Sequence, residues 1–250
     1  MVNVFSSVFD MTAFQAALVQ FAYYGAYFLL AIPAAMINSR FGFKGGVVIG
    51  MSLAALGAFL FFPAAEIMKY GTFLLALFVL AGGLSIVETS ANPFVMSLGP
   101  EHNATRRLNF AQAFNPIGSN LGVLMATLFV APHITEAIDK QGMSEAEVLA
   151  QTSSELEKVM IPYIILGVFY AALALSIFLV KIPKNKRMEE TDYTGVEKGV
   201  VGRLWNNKTY RFGVIAQFFN IAAQTCIWTF IPFYIQYTLG ASKETAGWWL

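Results

Sequence analysis

The stretch Thr72–Leu98, TFLLALFVLAGGLSIVETSANPFVMSL, carries a single charged side chain, Glu88, in 27 residues that are otherwise apolar enough to cross a lipid bilayer. A carboxylate at that depth costs about 2.5–3.5 kcal/mol on insertion scales, so such a residue normally faces a cavity or a bundle interior. Beside it, Thr89-Ser90-Ala91-Asn92-Pro93 supplies three small residues and a helix-breaking Asn-Pro pair.

Working outward, five further stretches have the same character: Phe14–Ile37, Gly45–Ala65, Leu108–Ala131, Met160–Val180 and Phe212–Leu239, none of them charged. Every backbone amide in hydrocarbon must be paired internally, so uninterrupted apolar runs of this length are helices, and the short alternating segments of a barrel are absent. A composition of 57% hydrophobic and 12% charged residues, with 23 Phe, leaves too few charges to solvate a globular surface. The fold class is an all-α polytopic membrane protein.

The same composition excludes other classes. A net charge of +1, with basic residues scattered through loops, gives no nucleic-acid face. Cys226 is the only cysteine and has no internal disulfide partner, and His102 and His133 lie outside the apolar spans without metal-ligand spacing. Phosphate-binding, nucleophile-elbow and dinucleotide fingerprints are all missing, which leaves neither an ATP-driven pump nor an enzyme with support.

Loop charge sets orientation. Segments 38–44, 99–107 and 181–211 hold twelve of the sixteen Lys and Arg and are expected on the cytoplasmic side. Segments 66–71 and 132–159 are expected outside, the latter acidic and carrying a Ser144-x-x-Glu147 capping box that predicts a short surface helix. Residues 1–12 then begin outside without a basic signal segment, which is the expectation for a chain preceded by one more helix, and Ala241–Leu250 reads as the opening turns of a following one. Domains are expected at 1–180 (a first helical bundle), 181–211 (a cytoplasmic linker ending in a surface helix near Val201–Asn206) and 212–250 (the start of a second bundle).

This orientation is open to direct test. Single cysteines placed in 38–44, 99–107 or 181–211 of a Cys226→Ala background should resist a membrane-impermeant thiol reagent in intact cells, whereas cysteines at 137 or 150 should react. Labelling in the opposite pattern would reverse the topology.

Polar residues inside the spans recur at helical spacing. Ser85, Glu88 and Asn92 share one face; so do Gln112, Asn115 and Ser119, the series Gln217, Asn220, Gln224 and Trp228, and Gln20, Tyr24 and Tyr27. Any one of these taken alone reads as interhelical glue, worth about 0.6–2 kcal/mol. Four aligned stripes including a carboxylate point instead to a lined cavity. Donors, acceptors and aromatic rings together suit a neutral polyol, whose hydroxyls hydrogen-bond while an apolar ring face stacks. Pro116, directly after Asn115, leaves a carbonyl unpaired one turn earlier.

The segments Glu88-Thr89-Ser90-Ala91-Asn92-Pro93-Phe94-Val95, Leu98-Gly99-Pro100-Glu101 and Arg107-Leu108-Asn109-Phe110-Ala111-Gln112-Ala113-Phe114-Asn115 resemble the fucose–galactose–glucose:proton symporters of the major facilitator superfamily. The likeness extends to Phe14-Gln15-Ala16-Ala17, to Pro63–Met68 and to Ala216-Gln217-Phe218 with Ala223-Gln224-Thr225. It implies a major facilitator fold in which the spans here are the second to seventh of twelve helices, followed by the start of the eighth. It further implies proton-coupled sugar uptake by a monomer in a bacterial inner membrane, with protons as coupling ion and no other cofactor. The glutamate and asparagine that the family uses for sugar recognition and proton coupling match Glu88 and Asn115. An aspartate it uses in the first helix has no counterpart here, and Asp10 does not stand in its place. The loop Asn38-Ser39-Arg40-Phe41-Gly42-Phe43-Lys44 departs from the general superfamily pattern, with Ser39 where an aspartate is usual. An uncoupled sugar facilitator and a non-transporting membrane sensor or structural fragment remain the alternatives.

Overall fold

The computed structural model describes residues 13–67, 69–125, 128, 145–181 and 200–240. The described residues are helical throughout apart from short turns and caps, with no strand among them. They form two compact units, one within Met1–Asn115 and Leu128–Tyr193, the other within Pro116–Thr127 and Thr194–Leu250.

In the first unit, α1 (Ala13–Ile67) is a 55-residue helical segment interrupted at Gly42, whose φ of 72° and ψ of 169° lie where a side chain would clash. Gly42 divides α1 into two arms. Val19 of the first arm and Ala64 of the second, nearly equidistant from Gly42 in sequence, are buried in one cluster, so the chain doubles back into a helical hairpin. The reversal is tighter than the expected loop over 38–44, because Asn38–Phe41 stay helical. Their polar groups find partners without unwinding: the Ser39 hydroxyl donates to Met36 O at 2.8 Å, and Asn38 is bonded to α2, as described below.

Helix α2 (Tyr70–Ser97) packs into this hairpin. Its approach to the second arm is close enough that a Cβ on Gly57 would fall on the backbone nitrogen of Leu80, and one on Gly83 on that of Ala54. Small residues let helix backbones come together in this way, replacing the missing hydrophobic drive in lipid by dispersion contacts. Around that crossing lie Ala54, Ala58, Phe61, Phe73, Ala76 and Leu80, all buried.

After a 3₁₀ turn at Glu101–Asn103 come α3 (Ala104–Gln112) and α4 (Phe114–Met125). Arg107 closes the end of α2 with its guanidinium fork, donating to Met96 O at 2.6 Å, Pro100 O at 3.0 Å and Val95 O at 3.3 Å. Within the expected span Leu108–Ala131 the helical hydrogen-bond ladder is interrupted after Ala113, whose own backbone stays helical at φ −62° and ψ −21° with its N–H on Asn109 O at 3.0 Å. Pro116 has no N–H for the Gln112 carbonyl four residues earlier, and the interruption falls at that turn.

Helix α5 (Glu145–Leu179) is longer than expected. Instead of a separate surface helix in the outer segment, residues from Glu145 run without interruption into the span Met160–Val180, through a stretch rich in Glu, Ala and Leu that propagates helix well. Ser144, the expected cap, lies outside the described residues. Tyr163 stacks on Phe61 with centroids 4.2 Å apart. At the other end, Lys44 Nζ donates to Phe178 O at 3.0 Å and Val180 O at 2.8 Å, a cation on the terminal carbonyls where the helix dipole favours it.

In the second unit, α6 (Val200–Asn206) covers the surface helix expected near Val201–Asn206, and α7 (Lys208–Leu239) covers the span Phe212–Leu239. Asn207 caps α7, its Oδ1 accepting from Thr209 N at 3.0 Å and Tyr210 N at 3.3 Å, and Gly240 closes it at φ 61°. The linker over 182–199 and the turns at 241–250 lie outside the described residues. Among those described, Phe21–Ile67, Tyr70–Ser97 and Met160–Leu179 are long and apolar enough to cross a membrane, the first of them containing the α1 hairpin.

Candidate functional site

Two faces of α2 have separate tasks. Leu80, Gly83, Ile86 and Ser90 are buried. They recur at helical spacing on the side turned to α1. Glu88 falls outside that stripe and is exposed, and among the described residues no hydrogen bond or ion pair reaches its carboxylate. The Tyr27 phenol lies within its electrostatic reach from the first arm of α1. Tyr27 belongs to a small aromatic group, with Tyr23 at 5.3 Å between centroids and Tyr24 edge-on to Tyr23 at 5.4 Å.

One turn beyond Glu88, Asn92 Oδ1 accepts a hydrogen bond from Gln112 Nε2 at 3.2 Å. This bond joins the charged face of α2 to α3. It consumes one donor of Gln112 and one acceptor of Asn92, and among the described residues it leaves the Asn92 amide donors and Gln112 Oε1 available. Glu88 and Asn92 thus set a carboxylate and a paired amide one turn apart on α2, with the Tyr27 phenol within electrostatic reach of the carboxylate. Asn115 lies exposed just past the interruption after Ala113.

The remaining sequence-predicted residues are placed as follows. Tyr24 is half exposed on the first arm. On α7, Asn220 and Gln224, with Ala223 and Ile227, border a shallow open concavity of about 300 Å³, and Gln217 is exposed one turn earlier. The side chains of Gln20 and Trp228 lie outside the described set. Ser85, which shares the stripe with Glu88, is instead buried, its hydroxyl donating to Tyr27 O at 3.4 Å. It ties α2 to α1, which is the helix-glue role.

Sequence reasoning missed Asn38 and Lys44 as structural groups. Both were visible only as members of a loop with positive charge. Their partners lie 51 to 136 residues away, beyond any local pattern.

The sequence profile described as the Major Facilitator Superfamily matches residues 1–250. The chain belongs to the major facilitator superfamily. Within that superfamily it is 42% identical over 250 residues to the L-fucose-proton symporter of Haemophilus influenzae, covering 97% of this chain and 58% of that protein. It is 31% identical over 240 residues to the glucose/galactose transporter of Brucella abortus, covering 96% of this chain and 54% of the relative. The crystal structure of the Escherichia coli fucose:proton symporter superposes with a TM-score of 0.79 at 36% identity, over 93% of this chain and 57% of that one. This major facilitator chain thus spans somewhat over half the length of the curated relatives it matches.

Proposed function

We propose that the whole protein is a secondary active transporter that takes up a hexose or deoxyhexose of the fucose, galactose or glucose class together with protons, by alternating access of two helical bundles in a bacterial inner membrane. The observation that carries the reading is the exposed carboxylate of Glu88 one turn from the Asn92–Gln112 pair, on a helix otherwise built to cross a bilayer. The names of the fucose-proton symporter and the glucose/galactose transporter support the substrate class and the coupling ion.

In this reading Glu88 is the proton-linked carboxylate. Sugar bound better in one protonation state than the other couples the two gradients. Gln112, Asn115 and Asn92 are the polar ligands, with Gln20 and Tyr24 from the first span and Gln217, Asn220, Gln224 and Trp228 from α7. Tyr24 and Trp228 supply ring faces. The protein works as a monomer, and the lipid bilayer and the sugar are its partners.

Cells bearing the complete protein should alkalinise a weakly buffered medium when the sugar is added. Sugar entry without a pH change would point to a facilitator, and failure of counterflow in vesicles would point to a sensor. Gln112→Ala and Asn115→Ala should each weaken sugar binding by about 1–3 kcal/mol, the cost of a cavity hydrogen bond left unmade. Calorimetry showing unchanged binding in both would return these amides to helix glue.

A further inference from the structure

The turn of α2 that carries Glu88 has a backbone defect just behind the carboxylate. Pro93 has no N–H to give the Thr89 carbonyl, the acceptor four residues earlier, so that carbonyl needs a donor from elsewhere. It finds one 51 residues away: Asn38 Nδ2 donates to Thr89 O at 3.4 Å. The other end of the same amide is also used: the single Ser90 hydroxyl proton is shared between Asn38 Oδ1 at 2.7 Å and Ile86 O at 2.6 Å, so Ser90 links Asn38 to the turn of α2 before it. Asn38 is 6% exposed and Ser90 fully buried. The space for this pair exists only because residue 46 is glycine: a Cβ there would fall on Asn38 Oδ1 and on Ser90 Oγ.

On the near side of Glu88 the turn is held as well. The Thr89 hydroxyl donates to Ser85 O at 2.8 Å, and the Ser85 hydroxyl to Tyr27 O. Glu88 is therefore bracketed by two ties to the first arm of α1, at Ser85 and at Thr89–Ser90. The Asn38 tie meets the backbone immediately after the carboxylate.

We propose that Asn38 is a positioning residue for Glu88: its amide replaces the hydrogen bond that Pro93 removes and, through Ser90, fixes the direction in which the Glu88 side chain leaves α2. This inference rests on the reading of Glu88 as the working carboxylate. Asn38 touches neither sugar nor proton. It acts through Thr89 and Ser90, and Gly46 is the residue that makes room for it.

The test uses the full-length protein in membranes and a hydrophobic carbodiimide, which reacts with carboxyl groups in apolar surroundings, with labelled positions assigned by peptide mass spectrometry. The rate at Glu88 is compared among wild type, Asn38→Ala and Ser90→Ala, with the exposed Glu66 at the far end of α1, labelled in parallel by a water-soluble carbodiimide, as internal control. Ser90→Ala adds no volume, so it keeps the fold if Asn38→Ala does not. The expected result is a rate at Glu88 altered about threefold or more, with the rate at Glu66 and the amount of folded protein unchanged. Equal rates at Glu88 in wild type and Ser90→Ala would overturn the proposal, as would a change that appears equally at Glu66. This readout does not depend on transport, and sugar-driven alkalinisation by the wild-type protein judges the transport reading separately.

Discussion

If the proposed function is right, Glu88→Gln in the full-length protein is expected to abolish proton-driven sugar accumulation, so that internal sugar falls to the external concentration, while folded protein stays in the membrane at its normal level. Glutamine is nearly isosteric and keeps hydrogen-bonding groups, but it has no proton to exchange. No ion pair among the described residues uses this carboxylate, so neutralising it removes no structural partner. It also relieves the insertion cost of a charge in the span, and the variant should be at least as stable as the parent. Counterflow can survive, since it needs binding and reorientation but no gradient. Accumulation measured with labelled sugar at the wild-type level, with the wild-type pH dependence, would remove Glu88 from the coupling step.

A second large effect is expected at the crossing of α1 and α2. Gly57→Val should prevent recovery of folded protein, because its branched side chain would be driven onto the backbone of Leu80, which no rotamer change can avoid. Overpacking of this kind costs about 1–3 kcal/mol where side chains can give way, and more where the obstacle is a helix backbone. Gly71→Ala is the matched control, since a Cβ at Gly71 meets nothing within 4 Å. Monodispersity after solubilisation and the thermal midpoint in detergent are the measurements. Equal midpoints for Gly57→Val and wild type would show that the close approach is not needed.

The spans were legible because their cause is local. Length and apolarity place Thr72–Leu98 and Met160–Val180 in helices whatever they pack against, and the structure puts Tyr70–Ser97 and Glu145–Leu179 over them. Glu88 stood out for the same reason, as a single charge whose cost is a property of its own surroundings. What escaped was set by partners far along the chain. Residues 38–41 read as loop because they are polar, yet they stay helical since Asn38 bonds to α2. Ser85 had the spacing of a cavity residue and turned out to join two helices. The interruption after Ala113 was half visible: Pro116 announced an unpaired carbonyl, but whether a proline bends a helix or splits it depends on its neighbours. Asn92 and Gln112 were placed on separate stripes, and only the packing of α2 against α3 brings them within bonding distance.

The Lys44 bonds to Phe178 O and Val180 O connect groups 134 and 136 residues apart. This fixes an order for synthesis. The hairpin about Gly42 and its contact with α2 involve neighbouring stretches and can assemble as soon as these leave the ribosome. The ammonium of Lys44, by contrast, must wait beside the membrane in water until Val180 has been made. A ribosome pausing between the codons for Ser97 and Val180 would therefore leave a nascent chain with its hairpin closed and its latch open, a state that a protease acting on the turn at Gly42 could distinguish from the finished one.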